Sequence, residues 1–186
     1  MVFLETPLDE KTVRSLKVGD VVYINGPVMT GRDEVHIRAL KNIDEGKENP
    51  ECLRNAVLYH CGPIISGTEG SYEVVAAGPT TSARMNSLES RMIEEFGIRA
   101  IIGKGGMSKD VGETMKRCGC VYLAATGGAA VTLAEGLARI EGVEWLDLGM
   151  PEAIWKFRTS RLGPLIVAMD CNGNSLYEQV KENLKR

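Results

Sequence analysis

The sequence predicts an α/β domain with an at least partly parallel sheet, and three observations carry that prediction. Short apolar runs at Tyr72 to Ala77, Ala100 to Ile102 and Val121 to Ala125 are each followed by a glycine turn and an apolar stripe at helical spacing. Parallel strands need such helical crossovers, whereas hairpins do not. The 21 glycines gather after apolar runs instead of forming a low-complexity tract, as tight strand-to-helix turns require. Gly97 and Ser108 stand where a helix C-terminal glycine and a helix N-cap belong. In such sheets ligands bind beyond the carboxyl ends of the strands, where the glycine turns fall.

Residues 1–18 read as an N-terminal arm anchored by Leu4, Leu8, Val13 and Leu16, and residues 19–186 as a single domain. Asp20 to Asn25 is a first strand, ended by Gly26-Pro27. A helix after Thr30-Gly31-Arg32-Asp33 carries Val35, Ala39, Leu40 and Ile43 on one stripe. Ala56 to His60 is a short strand stopped by Gly62-Pro63. The strand ending at Ala77 leads through Gly78-Pro79 to a helix lined by Met85, Leu88, Met92 and Phe96. Ala100-Ile101-Ile102 leads through Gly103-Lys104-Gly105-Gly106 to a helix with Val111 and Met115 inward. Val121 to Ala125 leads through Thr126-Gly127-Gly128 to a helix through Leu133, Leu137 and Ile140. Strands near Val143 to Leu146 and Leu165 to Met169 precede a last helix that starts near Asn174. Glu152-Ala153-Ile154-Trp155 is expected to cover the domain or to form a subunit contact.

A net charge of −3 and 5% aromatic residues offer neither a basic face nor stacking platforms, which excludes nucleic acid. Apolar runs stop well short of the roughly 20 residues of a membrane helix, and the amino terminus lacks the regions of a signal peptide. A cytoplasmic protein is the expectation. The five cysteines (Cys52, Cys61, Cys118, Cys120, Cys171) are odd in number and contain no Cys-x-x-Cys. That pattern argues against a disulfide framework, a zinc site and an iron–sulfur cluster held by this chain alone.

The richest segment is Gly78-Pro79-Thr80-Thr81-Ser82-Ala83-Arg84. Pro79 fixes a turn, a hydroxyl can cap the helix, free N–H groups point outward, and Arg84 adds a bidentate fork for a carboxylate. On residues alone, a plain N-cap with a solvated arginine is the favoured reading. Arg32 is a second cation at a strand-to-helix turn, with a surface pair to Asp33 or Glu34 as the plainer reading. Lys104, flanked by glycines at a strand end, can meet a small anion, although neither phosphate-loop spacing is satisfied. His36 reads as a satisfied or exposed helix residue, and His60 ends a strand beside Cys61. Together Arg32, Arg84 and Lys104 suit a small dianion such as a dicarboxylate, yet these turns hold no obvious general base. Half a site of this kind requires a cofactor or a second chain.

The run from Gly78 to Asn86 resembles the beta-type domain of class I fumarases and L-tartrate dehydratases. So do Gly103-Lys104-Gly105, Thr126-Gly127-Gly128-Ala129-Ala130 and Gly149-Met150-Pro151-Glu152-Ala153-Ile154-Trp155, in the same order from about Leu16 onward. The resemblance implies a swivelling β/β/α fold that docks on an alpha subunit, in an alpha2-beta2 assembly. That partner would hold a 4Fe-4S cluster whose open iron acts as a Lewis acid on the hydroxyl or water. Arg32, Arg84 and Lys104 match positions that hold substrate carboxylates and stabilise the aci-carboxylate formed on loss of the C3 proton. Thr80 matches the proposed base, Thr81 is its substrate-binding neighbour, and Lys104 shares the catalytic part. The implied reaction is reversible hydration of fumarate to (S)-malate. Dehydration of L-tartrate is the sister reading, and Ser82-Ala83 and Ala129, which depart from the common family pattern, leave both open. A non-catalytic dicarboxylate-binding or regulatory module is the alternative of another class.

Overall fold

The computed structural model describes residues 1–126 and 130–184. In chain order the elements are β1 (Val2–Glu5), α1 (Glu10–Ser15), β2 (Val21–Thr30), α2 (Asp33–Asp44), β3 (Val57–Tyr59), β4 (Ile64–Ser66) and β5 (Glu73–Ala76). Then follow α3 (Asn86–Phe96), β6 (Ala100–Gly103), α4 (Lys109–Cys118), β7 (Val121–Ala124), α5 (Ala130–Glu135), β8 (Arg139–Glu144), β9 (Ile154–Met169) and α6 (Leu176–Asn183).

The main sheet runs β1-β2-β3-β6-β7-β9-β8, and an additional β2–β9 pairing closes β2, β3, β6, β7 and β9 into a five-stranded barrel. β2, β3, β6 and β7 pair in parallel, while β9 is antiparallel to β7, β2 and β8. The architecture is mixed α/β, as the sequence predicts.

Alternation along the short strands explains why they read as continuous apolar runs. Val57, Tyr59, Ala100, Ile102, Val121 and Leu123 join one core with Trp155, Phe157 and Val167. Leu58, Ile101 and Tyr122 point the other way, into a second core with Val35, Met92, Phe96, Val111 and Met115 from α2, α3 and α4. A strand with core on both faces has no polar side to show. Trimming one such residue, Ile101 for instance, to alanine would cost about 2–5 kcal/mol.

Helix ends follow local chemistry. The Ser108 side chain accepts the Val111 N–H at the start of α4, and Gly97 and Gly119 close α3 and α4 in the left-handed conformation. The anchors Leu4, Leu8, Val13 and Leu16 are all buried, and β1 lies parallel to β2.

Several expectations are corrected. β2 does not stop at Gly26-Pro27. Gly26 adopts a φ of 98°, the β2–β9 register shifts there, and the strand continues past the end of β1 to Thr30. β5 is not a barrel strand and pairs antiparallel with β4 in a separate two-stranded sheet. Helix α5 ends at Glu135, so Leu137 reaches the core from a loop and Ile140 from β8. Trp155 is no cover. It is fully buried in the barrel core, with its ring N–H donating to the Met150 carbonyl at 2.7 Å.

Candidate functional site

The site is assembled at the carboxyl ends of the parallel strands. Arg32 follows β2, His60–Gly62 follow β3, and Lys104 follows β6. Between the last two lies the extended segment Pro79–Thr81, which bridges Cys61 through Pro79 and Lys104 through Thr81. The Thr80 N–H donates to the His60 carbonyl at 2.7 Å, and the Lys104 N–H donates to the Thr80 carbonyl at 3.3 Å. Proline at position 79 suits this insertion, because its fixed φ favours extended chain and it has no N–H to satisfy. The segment is thus a short wedge of strand between two others, and it presents Thr80 half-buried and Thr81 exposed.

The anticipated helix-terminus geometry is absent. Ser82–Met85 form a 3-10 turn, α3 starts only at Asn86, and neither start has a side-chain cap. The Ser82 N–H is already taken by the Lys104 carbonyl at 3.0 Å, so no row of free amides faces outward. The Ser82 hydroxyl points inward instead. Its place is possible only because position 103 is glycine, where a β-carbon would overlap the Ser82 Oγ.

The cations carry what attraction the site has. Arg32 pairs not with Asp33 or Glu34 but with Glu152, whose other oxygen accepts the Glu34 N–H at 3.2 Å. Gly62 makes room for it: a β-carbon there would lie 2.7 Å from the Arg32 guanidinium. Asp33 pairs with Arg84 instead, at 2.7 Å. Each arginine is therefore oriented by a carboxylate from another turn. Lys104 is exposed and, among the described residues, has no ion-pair partner. Partly exposed pairs of this kind contribute little net stability, so an incoming dianion competes with them at small cost.

Beneath the turns lies a buried polar layer that sequence reasoning missed. His36 Nδ1 stands 2.9 Å from the Arg32 carbonyl, and its Nε2 2.8 Å from Glu89 Oε2. His60 Nε2 is 3.1 Å from the same oxygen, its Nδ1 is 2.9 Å from Ser82 Oγ, and the Tyr122 hydroxyl donates to that Oγ at 2.9 Å. All five residues are fully buried. Burial raises the Glu89 pKa, but the two imidazoles outweigh it and hold the carboxyl well below its ordinary range. A glutamate on the inward stripe of α3, at helical spacing from Met85, Met92 and Phe96, was the available signal.

Among the described residues the cysteines do not gather into a ligand set. Burial pushes the Cys61 thiol up to about 12 and Cys52 to about 11, and raises Cys120 and Cys171. Of the Thr126-Gly127-Gly128 turn, Thr126 is exposed, while Gly127 and Gly128 lie outside the described residues. Among the described residues no helix is long and apolar enough to cross a membrane.

The chain is a mixed α/β barrel domain with two arginines, a lysine and a Thr-Thr wedge in the turns at one edge. The chain belongs to the family described as fumarase C-terminus, whose model matches residues 1–180. A Methanocaldococcus jannaschii protein provisionally named L(+)-tartrate dehydratase subunit beta is 47% identical over 178 residues, covering 95% of this chain and 91% of that one. The L(+)-tartrate dehydratase subunit beta of Escherichia coli K12 is 37% identical over 179 residues, 96% of this chain and 88% of its own length. A Geobacillus stearothermophilus protein provisionally named class I fumarate hydratase is 42% identical over 184 residues, 98% of this chain but only 35% of that protein's length.

Proposed function

We propose that this chain is the beta subunit of a hydro-lyase, gripping a small dicarboxylate at a site completed by an alpha subunit. The observation that carries this reading is the Thr80 wedge, which joins Thr80 and Thr81 to Lys104 at one barrel edge, with Arg84 paired to Asp33, the neighbour of Arg32. In this reading Arg32 and Arg84 hold the substrate carboxylates, and Lys104 neutralises the charge that develops as a C3 proton leaves. Thr80 is the candidate acceptor of that proton. A free hydroxyl is a weak base, so the role depends on nearby positive charge, which Lys104 supplies. Thr81, across from Lys104, adds a hydroxyl to the bound substrate.

The 4Fe-4S cluster belongs to the alpha subunit in this proposal, and it supplies a Lewis acid for the hydroxyl end of the substrate when bound. This chain's own part is binding, orientation and proton handling. We take the assembly to be alpha2-beta2, cytoplasmic, with residues 19–186 as the family's swivelling β/β/α-type domain; the closed barrel with α2, α3 and α4 packed in a second core supports that description.

Reversible hydration of fumarate to (S)-malate is the first reading of the reaction. Dehydration of L-tartrate fits as well, and the names of two relatives favour it. Coexpression with the alpha chain, anaerobic cluster reconstitution and assay of fumarate, malate and L-tartrate separate the two. Turnover of tartrate without malate or fumarate would overturn the first. Tight dicarboxylate binding by the isolated chain, with no iron-containing partner in an anaerobic pull-down, would favour a regulatory module.

A further inference from the structure

The chain of buried polar groups beneath the two arginine turns has no part in the chemistry above. Proton accounting fixes its state. His36 faces an acceptor at each ring nitrogen, the Arg32 carbonyl at 2.9 Å and the Glu89 carboxylate at 2.8 Å, so both nitrogens carry hydrogen and the ring is an imidazolium. Tyr122 donates to Ser82 Oγ, which leaves the Ser82 hydroxyl hydrogen for His60 Nδ1. His60 then holds its single proton on Nε2, facing Glu89, and is neutral. That contact is too bent for a full hydrogen bond, and Glu89 Oε1 has no partner among the described residues. Glu89 is therefore compensated by one cation, His36.

A metal ion explains these distances less well. An ion about 2.0–2.1 Å from each ligand would hold the ligand atoms roughly 3.3 Å apart in a tetrahedral site. The 2.8 Å contact of His36 with Glu89 is that of a shared proton, and the 3.1 Å approach of His60 is also shorter than a common metal would set.

We propose that His36, Glu89 and His60 are positioning residues of the dicarboxylate site: a buried imidazolium–carboxylate–imidazole chain that ties the Arg32 turn to the Thr80–Arg84 turn and keeps both in the gripping arrangement while His36 is protonated. The inference rests on Arg32 and Arg84 being the substrate grips. His36 lies one turn into α2, just after Arg32, and Glu89 one turn into α3, just after Arg84. Loss of the His36 proton leaves a buried carboxylate with no cation between the two helices, and burial of an unpaired charge is strongly unfavourable. The helix starts, and the arginines on them, then shift relative to each other.

The surroundings agree. Burial opposes the charge on His36, but the Glu89 carboxylate and the Arg32 carbonyl outweigh it and raise its pKa. Burial lowers the pKa of His60 despite Glu89. The other groups facing this cluster are Arg32 and Asp33 at the start of α2, Cys120 just before β7 and Tyr122 in β7, the last two kept protonated by burial.

Only two histidines occur in the chain, so nitrogen-15 histidine spectra of the full chain separate them directly, assigned with His36→Gln and His60→Gln. The expected result at pH 7.5 is one doubly protonated ring, His36, and one neutral ring with its proton on Nε2, His60. In the assembled enzyme, succinate affinity should fall as pH rises through the raised His36 value. In Glu89→Gln, His36 should be neutral at pH 7.5, succinate binding about tenfold weaker, as for one lost charge-assisted contact, and the alkaline limb gone. Ser82→Ala should disturb only the His60 tautomer and keep the His36 imidazolium. Two neutral rings in the wild-type chain would overturn the proposal even if Glu89→Gln fails to fold. So would a folded Glu89→Gln with unchanged succinate affinity across pH, or stoichiometric zinc that this variant loses. Succinate binding with the alkaline limb, but no turnover of fumarate, malate or tartrate, would overturn the hydro-lyase reading alone.

Discussion

Gly103 has no side chain, and the Ser82 Oγ occupies the space where one would begin. This close approach lets the Thr80 wedge seat between β3 and β6 while its serine reaches the buried histidines. Gly103→Ala must push Ser82 out, and the Tyr122 hydroxyl, 2.9 Å from the same β-carbon, blocks the other way. Overpacking here should lower unfolding stability by about 1–3 kcal/mol, read from denaturant midpoints. An unchanged midpoint would mean that the wedge is looser than its hydrogen bonds indicate.

Gly62→Ala addresses Arg32 in the same way without touching the arginine. The new β-carbon would lie 2.7 Å from the guanidinium and 2.8 Å from the Pro151 carbonyl, so the side chain must move. If Arg32 holds a substrate carboxylate as proposed, its misplacement by about 1 Å can cost up to about a hundredfold in rate. We expect kcat/KM of the assembled enzyme to fall by about ten- to a hundredfold, which steady-state kinetics will read.

Lys104→Met removes a charge that no described carboxylate pairs with. Stability should stay within about 0.5 kcal/mol of the wild type, as for other surface changes. If Lys104 has the role proposed above, turnover should fall by about a hundredfold or more, as for loss of a preorganised cation that meets developing charge. Thermal melting and turnover measured on one preparation separate the two effects.

Asp170 provides a stability prediction far from the chemistry. It accepts the Val18, Asn172 and Asn174 N–H groups at 3.1, 2.9 and 3.0 Å. Burial raises its pKa, but these bonds and the Asn174 side chain outweigh it and depress the folded value below 3.8. A depressed carboxylate stabilises above its unfolded pKa, and that contribution disappears as pH falls through the folded value. Asp170→Asn should therefore cost about 1–3 kcal/mol at neutral pH. The difference from the wild type should shrink as pH drops below about 4 in denaturant titrations.

What was legible in the sequence was local. Ser108, Gly97 and the stripe of Met92 and Phe96 announce α3 and α4, because caps and helical periodicity depend on neighbours in the chain. β9 depends on three partner strands, and its first half was not recognised. The signal was present, since Trp155, Phe157 and Thr159 are buried and alternate with Lys156, Arg158 and Ser160. Glu152 opposite Arg32, and Glu89 between two histidines, are products of topology alone. No spacing rule links positions 36, 60 and 89. The cations Arg32, Arg84 and Lys104 were visible as turn residues, but the carboxylates that aim the two arginines were not.

The central claim is that this chain grips a dicarboxylate through Arg84 in a site shared with an alpha subunit. Its most direct test is kcat/KM of the coexpressed, cluster-reconstituted complex carrying Arg84→Ala, on whichever of fumarate, malate or L-tartrate the wild type turns over. The account predicts intact assembly and a loss of at least about a hundredfold, on the scale of removing a preorganised charge contact to the transition state. An assembled variant with near-wild-type kcat/KM would contradict it.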